Sequence, residues 1–158
     1  MISTAVKRIF GSKNDRDIKK LRVEIEAYTS DSALWLYPYD IKNSAGNLCL
    51  HLIGNLNAYI GNGLAGAHYN RDRDREFAAK NIPKNELLSM LDKTREIVNE
   101  GLNSIDEADL SADFPIIIWD HKTNMAYTLM HLHSHLNYHL GQINYHRRLL
   151  DVDREDIQ

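Results

Sequence analysis

Apolar side chains recur at intervals of three and four along most of this 158-residue chain, the period of an α-helix with one buried face. Ile18, Leu21, Ile25 and Tyr28 mark such a face over residues 14–29. The preceding piece, residues 2–10, either continues that helix or is set off by Gly11-Ser12. A second helix is expected over residues 44–64, where Leu48, Leu52, Leu56, Tyr59 and Ile60 form more than one apolar stripe, as a buried or doubly packed helix requires. Pro83 suits the first turn of a third, which keeps Leu87, Leu91, Val98 and Leu102 on one side until Ile105. The fourth begins at Thr123 or Asn124, both good caps, and reaches Leu150, roughly 40 Å at 1.5 Å per residue. Leu129, Leu132, Leu136, Ile143 and Leu150 are its core seam.

The connections are polar or lack a period. Residues 65–82 are the longest such segment, and Tyr69 to Phe77 within it alternates charges, with Arg71, Asp72, Arg73, Asp74, Arg75 and Glu76. Phe114-Pro115-Ile116-Ile117-Ile118-Trp119 is a short β-prone run, read as an extended segment laid across the helices or as an interface segment. Four long helices in one domain, residues 1–158, imply an all-α four-helix bundle.

Composition narrows the function classes. With 43% hydrophobic and 26% charged residues the chain reads as an ordinary soluble globular protein. A net charge of -3 and a pI near 6.2 argue against a nucleic-acid partner. No apolar run approaches the roughly 20 residues of a membrane span, and Met1 to Arg8 lacks a signal-peptide core. One cysteine permits no intrachain disulfide, so a cytoplasmic location is expected.

The histidines carry the most specific chemistry in the chain. Five of the eight, His131, His133, His135, His139 and His146, fall within the last helix. At about 100° per residue His135 and His139 lie roughly 40° apart on one face, so both imidazoles can reach one metal ion beside the helix. His131 extends that stripe, whereas His133 sits roughly 200° from His135 and cannot share the ion. A single helical histidine is most often a surface residue or a core residue bonded through both ring nitrogens. Two side by side among Leu and Tyr find few such partners. A catalytic site of the zinc type needs three protein ligands, and His51, a solitary imidazole in apolar Leu48-Cys49-Leu50-His51-Leu52-Ile53-Gly54-Asn55-Leu56, is the third candidate. Cys49 points roughly 200° away and reads as a small core residue. Asn55, one turn after His51, lines the same pocket, and Gln142, roughly 60° from His139, supports it from behind. His68 and His121 are expected in loops. Imidazoles suit zinc, nickel, iron and copper alike. The alternating charges read as a solvated loop, or else Arg71 or Arg73 turns into the cleft and binds a carboxylate. No Ser-His-Asp order, no phosphate-cradling glycine loop and no evident general base accompany these residues.

His51 together with His135-x-x-x-His139-x-Gly141-Gln142-Ile143 resembles the DinB-like superfamily of metal-binding four-helix bundles. Asn43-Ser44-Ala45-Gly46-Asn47-Leu48, His51-Leu52-Ile53-Gly54-Asn55-Leu56, Tyr69-x-Arg71-x-Arg73-x-x-Glu76-Phe77 and the stretch from His135 to Arg148 resemble a subgroup of unassigned function. The resemblance implies an up-down-down-up bundle, a divalent ion, commonly zinc or nickel, on His51, His135 and His139, and a homodimer. Characterised relatives are thiol S-transferases using bacillithiol or mycothiol and a thiol-dependent isomerase, while others are described as metal-dependent hydrolases. The function it implies is a metal-dependent enzyme with a small-molecule substrate, foremost a thiol S-transferase that activates a low-molecular-weight thiol. The alternatives are a hydrolase and a stress-related metal-binding or interaction protein without turnover.

Overall fold

A computed structural model describes residues 2–151, with side chains described for Arg8 and from Phe10 onward. Among the described residues the chain is helical, and its one β-feature is an isolated bridge between Asp113 and Asn124. Helix α1 (Ile2–Glu26) runs without a break through Gly11-Ser12, so the two N-terminal pieces are one helix. It stops at Glu26, and Lys84 Nζ donates to the backbone oxygens of Glu26 at 3.3 Å and Tyr28 at 2.7 Å, satisfying carbonyls that a helix end leaves open.

Helix α2 (Ala45–Leu56) is buried on every side along its whole length, which accounts for its multiple apolar stripes. Ser44 caps it, accepting from Asn47 N at 3.2 Å. A π-helical turn (Asn57–Gly61) and a last α-turn (Asn62–Leu64) continue it. The aperiodic segment that follows contains a helix that the hydrophobic pattern does not announce, α3 (Arg73–Ala78), capped by Asp72. Pro83 precedes α4 (Lys84–Ser104) with a φ of -58°. Asn124 caps α5 (Met125–Leu150), accepting from Tyr127 N at 2.8 Å.

Helices α1 and α2 each pack against both α4 and α5, and α3 packs against α2. The core between the long helices holds Leu21, Ile25, Leu52, Leu56, Leu87, Leu91, Leu129 and Leu132, all buried. The apolar run before α5 lies extended, with Phe114 buried, Ile116 and Ile118 against the core and Ile117 exposed. Its start is held by Phe114 N donating to Thr123 O at 2.8 Å. Tyr28 bonds His146 Nδ1 at 2.8 Å, and His146 Nε2 donates to Leu36 O at 3.0 Å. That fixes the chain after α1 against the end of α5 and leaves His146 no free nitrogen for a ligand.

Candidate metal centre

The site lies where α2 meets α5. His51 projects from the middle of α2, and His135 and His139 project one turn apart from α5. Their ring nitrogens converge: His135 Nε2 lies 3.2 Å from His51 Nε2 and 3.1 Å from His139 Nε2. All three ligand atoms fall within 4.8 Å of one another. Three imidazole nitrogens about 2.0–2.1 Å from one tetrahedral ion would be separated by about 3.3–3.4 Å, so the spacing fits a divalent cation at the focus.

Proton bookkeeping points the same way. His51 Nδ1 is 2.9 Å from Glu76 Oε2, and a carboxylate only accepts, so Nδ1 carries the hydrogen and neutral His51 presents a lone pair at Nε2. His139 Nδ1 donates to Gln142 Oε1 at 2.7 Å, which fixes the same tautomer there. A single proton on His135 Nε2 can serve one of those lone pairs and leaves the other bare, whereas a cation serves all three. Burial together with the neighbouring His139 and His51 pulls the His135 pKa down to about 4. Burial lowers that of His139 as well. Neutral imidazoles at pH 7 are the form that ligates metals. Among the described residues His135 Nδ1 is buried without a hydrogen-bond partner, and so is Asn55 Oδ1, one turn along from His51.

Behind His51 stands a second layer that the hydrophobic pattern gave no reason to expect. Glu76, on α3, is buried, and Arg71 donates to it twice, from Nε to Oε1 at 2.7 Å and from Nη2 to Oε2 at 3.0 Å. Burial works to raise the Glu76 pKa, but the bonds from His51 and Arg71 outweigh it and hold the carboxyl below its ordinary value. Room for that carboxylate comes from Gly54: a Cβ there would sit 1.9 Å from Glu76 Oε1. Asn47 holds α3 in place, its Nδ2 donating to Glu76 O at 3.0 Å and Ala79 O at 2.8 Å. The π-turn, a feature frequent at functional sites, carries Tyr59, whose hydroxyl accepts from Arg71 Nη1 at 3.5 Å.

Gln142 lies behind His139 as expected, while Arg71 spends its fork on Glu76, and Arg73 is exposed at the start of α3. The charged segment is thus a solvated cap and first turn of α3 at Asp72, Arg73, Asp74 and Arg75, with half-buried Arg71 paired to buried Glu76. Cys49 is a core residue whose thiol burial pushes far up. His133 faces α1, with Nε2 3.8 Å from Asp17 Oδ2 and Nδ1 3.4 Å from Asn14 Oδ1. His131 lies beside the triad, its ring stacked on His135 at 6.2 Å and edge-on to Trp119 at 4.7 Å. His68 and His121 are exposed.

Residues 10–156 match the model of one protein family, which takes in every residue of this site. The chain belongs to the family described as protein of unknown function (DUF1572). The DUF1572 match runs from within α1 to beyond the end of α5, so it includes α3 and its Glu76 as well as the histidines. No curated protein and no solved structure matches the chain.

Proposed function

We propose that this member of the DUF1572 family is a metal-dependent enzyme of the DinB-like type, a thiol S-transferase in which His51, His135 and His139 hold one divalent ion, zinc or nickel. The observation that carries the reading is the convergence of three imidazole nitrogens whose outer nitrogens are committed elsewhere at two of the three rings. Three protein ligands leave coordination positions open, the condition for catalysis rather than a closed structural site. A bound ion would supply Lewis acidity, lowering the pKa of a low-molecular-weight thiol so that thiolate is available at neutral pH.

The chain's own residues then divide the work. Glu76, braced by Arg71, and Gln142 orient two of the rings and set their tautomers. Asn55 keeps a buried carbonyl oxygen without a partner one turn along from His51. In a hydrolase the same ion would lower the pKa of water instead, with Glu76 held on His51 and Arg71 in either case. In the same proposal the chain is one domain, α1, α2, α4 and α5 form the up-down-down-up bundle of the DinB-like superfamily, and two chains pair through exposed apolar residues of the run before α5, such as Ile117.

Elemental analysis of protein purified without an affinity tag should find about one divalent ion per chain, and His51→Ala, His135→Ala or His139→Ala should each abolish it, while His133→Ala keeps it. The loaded protein should accelerate conjugation of a low-molecular-weight thiol to a haloarene or epoxide, and His139→Ala should remove that rate. Turnover of esters or amides with no thiol conjugation would replace the reading by a hydrolase. Stoichiometric metal with neither activity would leave a metal-binding protein without turnover.

A further inference from the structure

A cavity of about 600 Å³, within the range of about 300–1,000 Å³ typical of small-molecule sites, opens between the segment before α2 and the C-terminal half of α5. Ile41, Leu48, Tyr145 and Leu149 give it an apolar wall, and Lys42 and Gln142 are among its polar contributors. It contains none of the three histidines, yet it adjoins them on both helices. Leu48 lies three residues before His51 on α2, and Gln142 lies three residues after His139 on α5, so at 1.5 Å per residue the cavity begins about 4.5 Å along each helix from the triad. Gln142 is shared, lining the cavity while its Oε1 accepts from His139 Nδ1.

We propose that this cavity binds the apolar body of a neutral or anionic small molecule and holds it alongside the triad. Ile41, Tyr145 and Leu149 are each at least 40% exposed, so a ligand would remove apolar surface from water at about 25 cal/mol per Å². Lys42 is the single formally charged side chain of the lining, and no carboxylate is present to attract a cation. This selects neutral and anionic ligands over cationic ones. The assignment of that ligand as the electrophile of a thiol transfer rests on the function proposed above; the existence of the binding site does not.

The test uses metal-free full-length protein, so failure of the metal reading and failure of the cavity are separate results. Fluorescence titration with neutral N-phenyl-1-naphthylamine and with anionic 8-anilinonaphthalene-1-sulfonate should give one saturable site per chain. Ile41→Glu and Leu149→Glu should each weaken both probes at least tenfold, with circular dichroism showing the fold retained. Lys42→Glu should weaken the sulfonate several-fold more than the amine. Val23→Glu, an exposed apolar position in the separate groove between α1 and α5, should change neither. Absence of saturable binding, equal weakening by Val23→Glu, or unchanged binding in both Ile41→Glu and Leu149→Glu would overturn the site. Equal response of the two probes to Lys42→Glu would overturn the charge preference.

Discussion

Replacing Gly54 by alanine ought, on general grounds, to stabilise the protein, because alanine is favoured over glycine inside a helix by about 1 kcal/mol. Here the opposite is expected. The added methyl would lie 1.9 Å from Glu76 Oε1 and 2.7 Å from its carboxyl carbon. The far end of a glutamate normally swings aside at small cost, but this one is buried and tied to His51 and twice to Arg71. Overpacking a filled site costs about 1–3 kcal/mol, and pulling the carboxylate off Arg71 approaches the loss of a buried ion pair, about 3–5 kcal/mol. Set against the gain in helix propensity, the net destabilisation should be about 1–3 kcal/mol, a fall of about 3–10 °C in Tm for a domain of this size. Losing the carboxylate behind a ligating histidine should also weaken metal binding about 10- to 100-fold. Urea unfolding of the metal-free chain and competition with a chromogenic chelator measure the two effects. A double-mutant cycle isolates the cause: in a Glu76→Ala background, Gly54→Ala should cost nothing or stabilise. A single variant that is at least as stable as the unaltered chain and keeps its metal affinity, or a cost that persists when Glu76 is gone, would refute the clash between Gly54 and the Glu76 carboxylate.

Metal-free protein should lose stability as pH falls from about 6.5 toward 4. Burial depresses the pKa of His135 to about 4 and lowers those of His139 and His146, so over this interval the unfolded chain binds more protons than the folded one. The urea midpoint at pH 5 should lie below that at pH 7, a window in which carboxyls held low, such as Asp15 at about 2, remain ionised; an equal or higher midpoint at pH 5 would count against His135, His139 and His146 being held neutral by burial. Asn47→Ala should cost about 1–3 kcal/mol by leaving the carbonyls of Glu76 and Ala79 without their donor, and it should weaken metal binding as well, since α3 then no longer holds Glu76 against His51. Chelator competition that shows full affinity in a destabilised Asn47→Ala would separate the two roles and refute the link.

The long helices were legible because each satisfies local rules that burial then enforces. Ser44, Pro83 and Asn124 mark helix starts by side-chain chemistry alone, and the structure places them at those starts. Helix α3 was not legible. Six residues are too short to show a period, and its apolar surface is a single Phe77 among charges. It exists because Asn47 and the His51–Glu76 bond tie it to α2, contacts between residues 25 to 32 positions apart that no local pattern encodes.

The histidines could be found because imidazoles are out of place among leucines, and a residue out of place on an apolar face invites the question of what it binds. Glu76 escaped the same logic because a glutamate in a run of alternating charges is where solvation expects it. One signal did point to it. Gly54 sits inside a buried helix three residues after His51, and, as at Gly46 against Trp35, a glycine inside such a helix costs stability unless another group needs the space its missing side chain leaves. The group is the Glu76 carboxylate, and its burial needs two compensations, the Arg71 guanidinium for its charge and the His51 Nδ1 proton for its second oxygen. Each partner would be poorly satisfied in the core without the others, so Gly54, Glu76, Arg71 and His51 form one unit. The unit's free end is the His51 Nε2 lone pair, directed at the two nitrogens from α5.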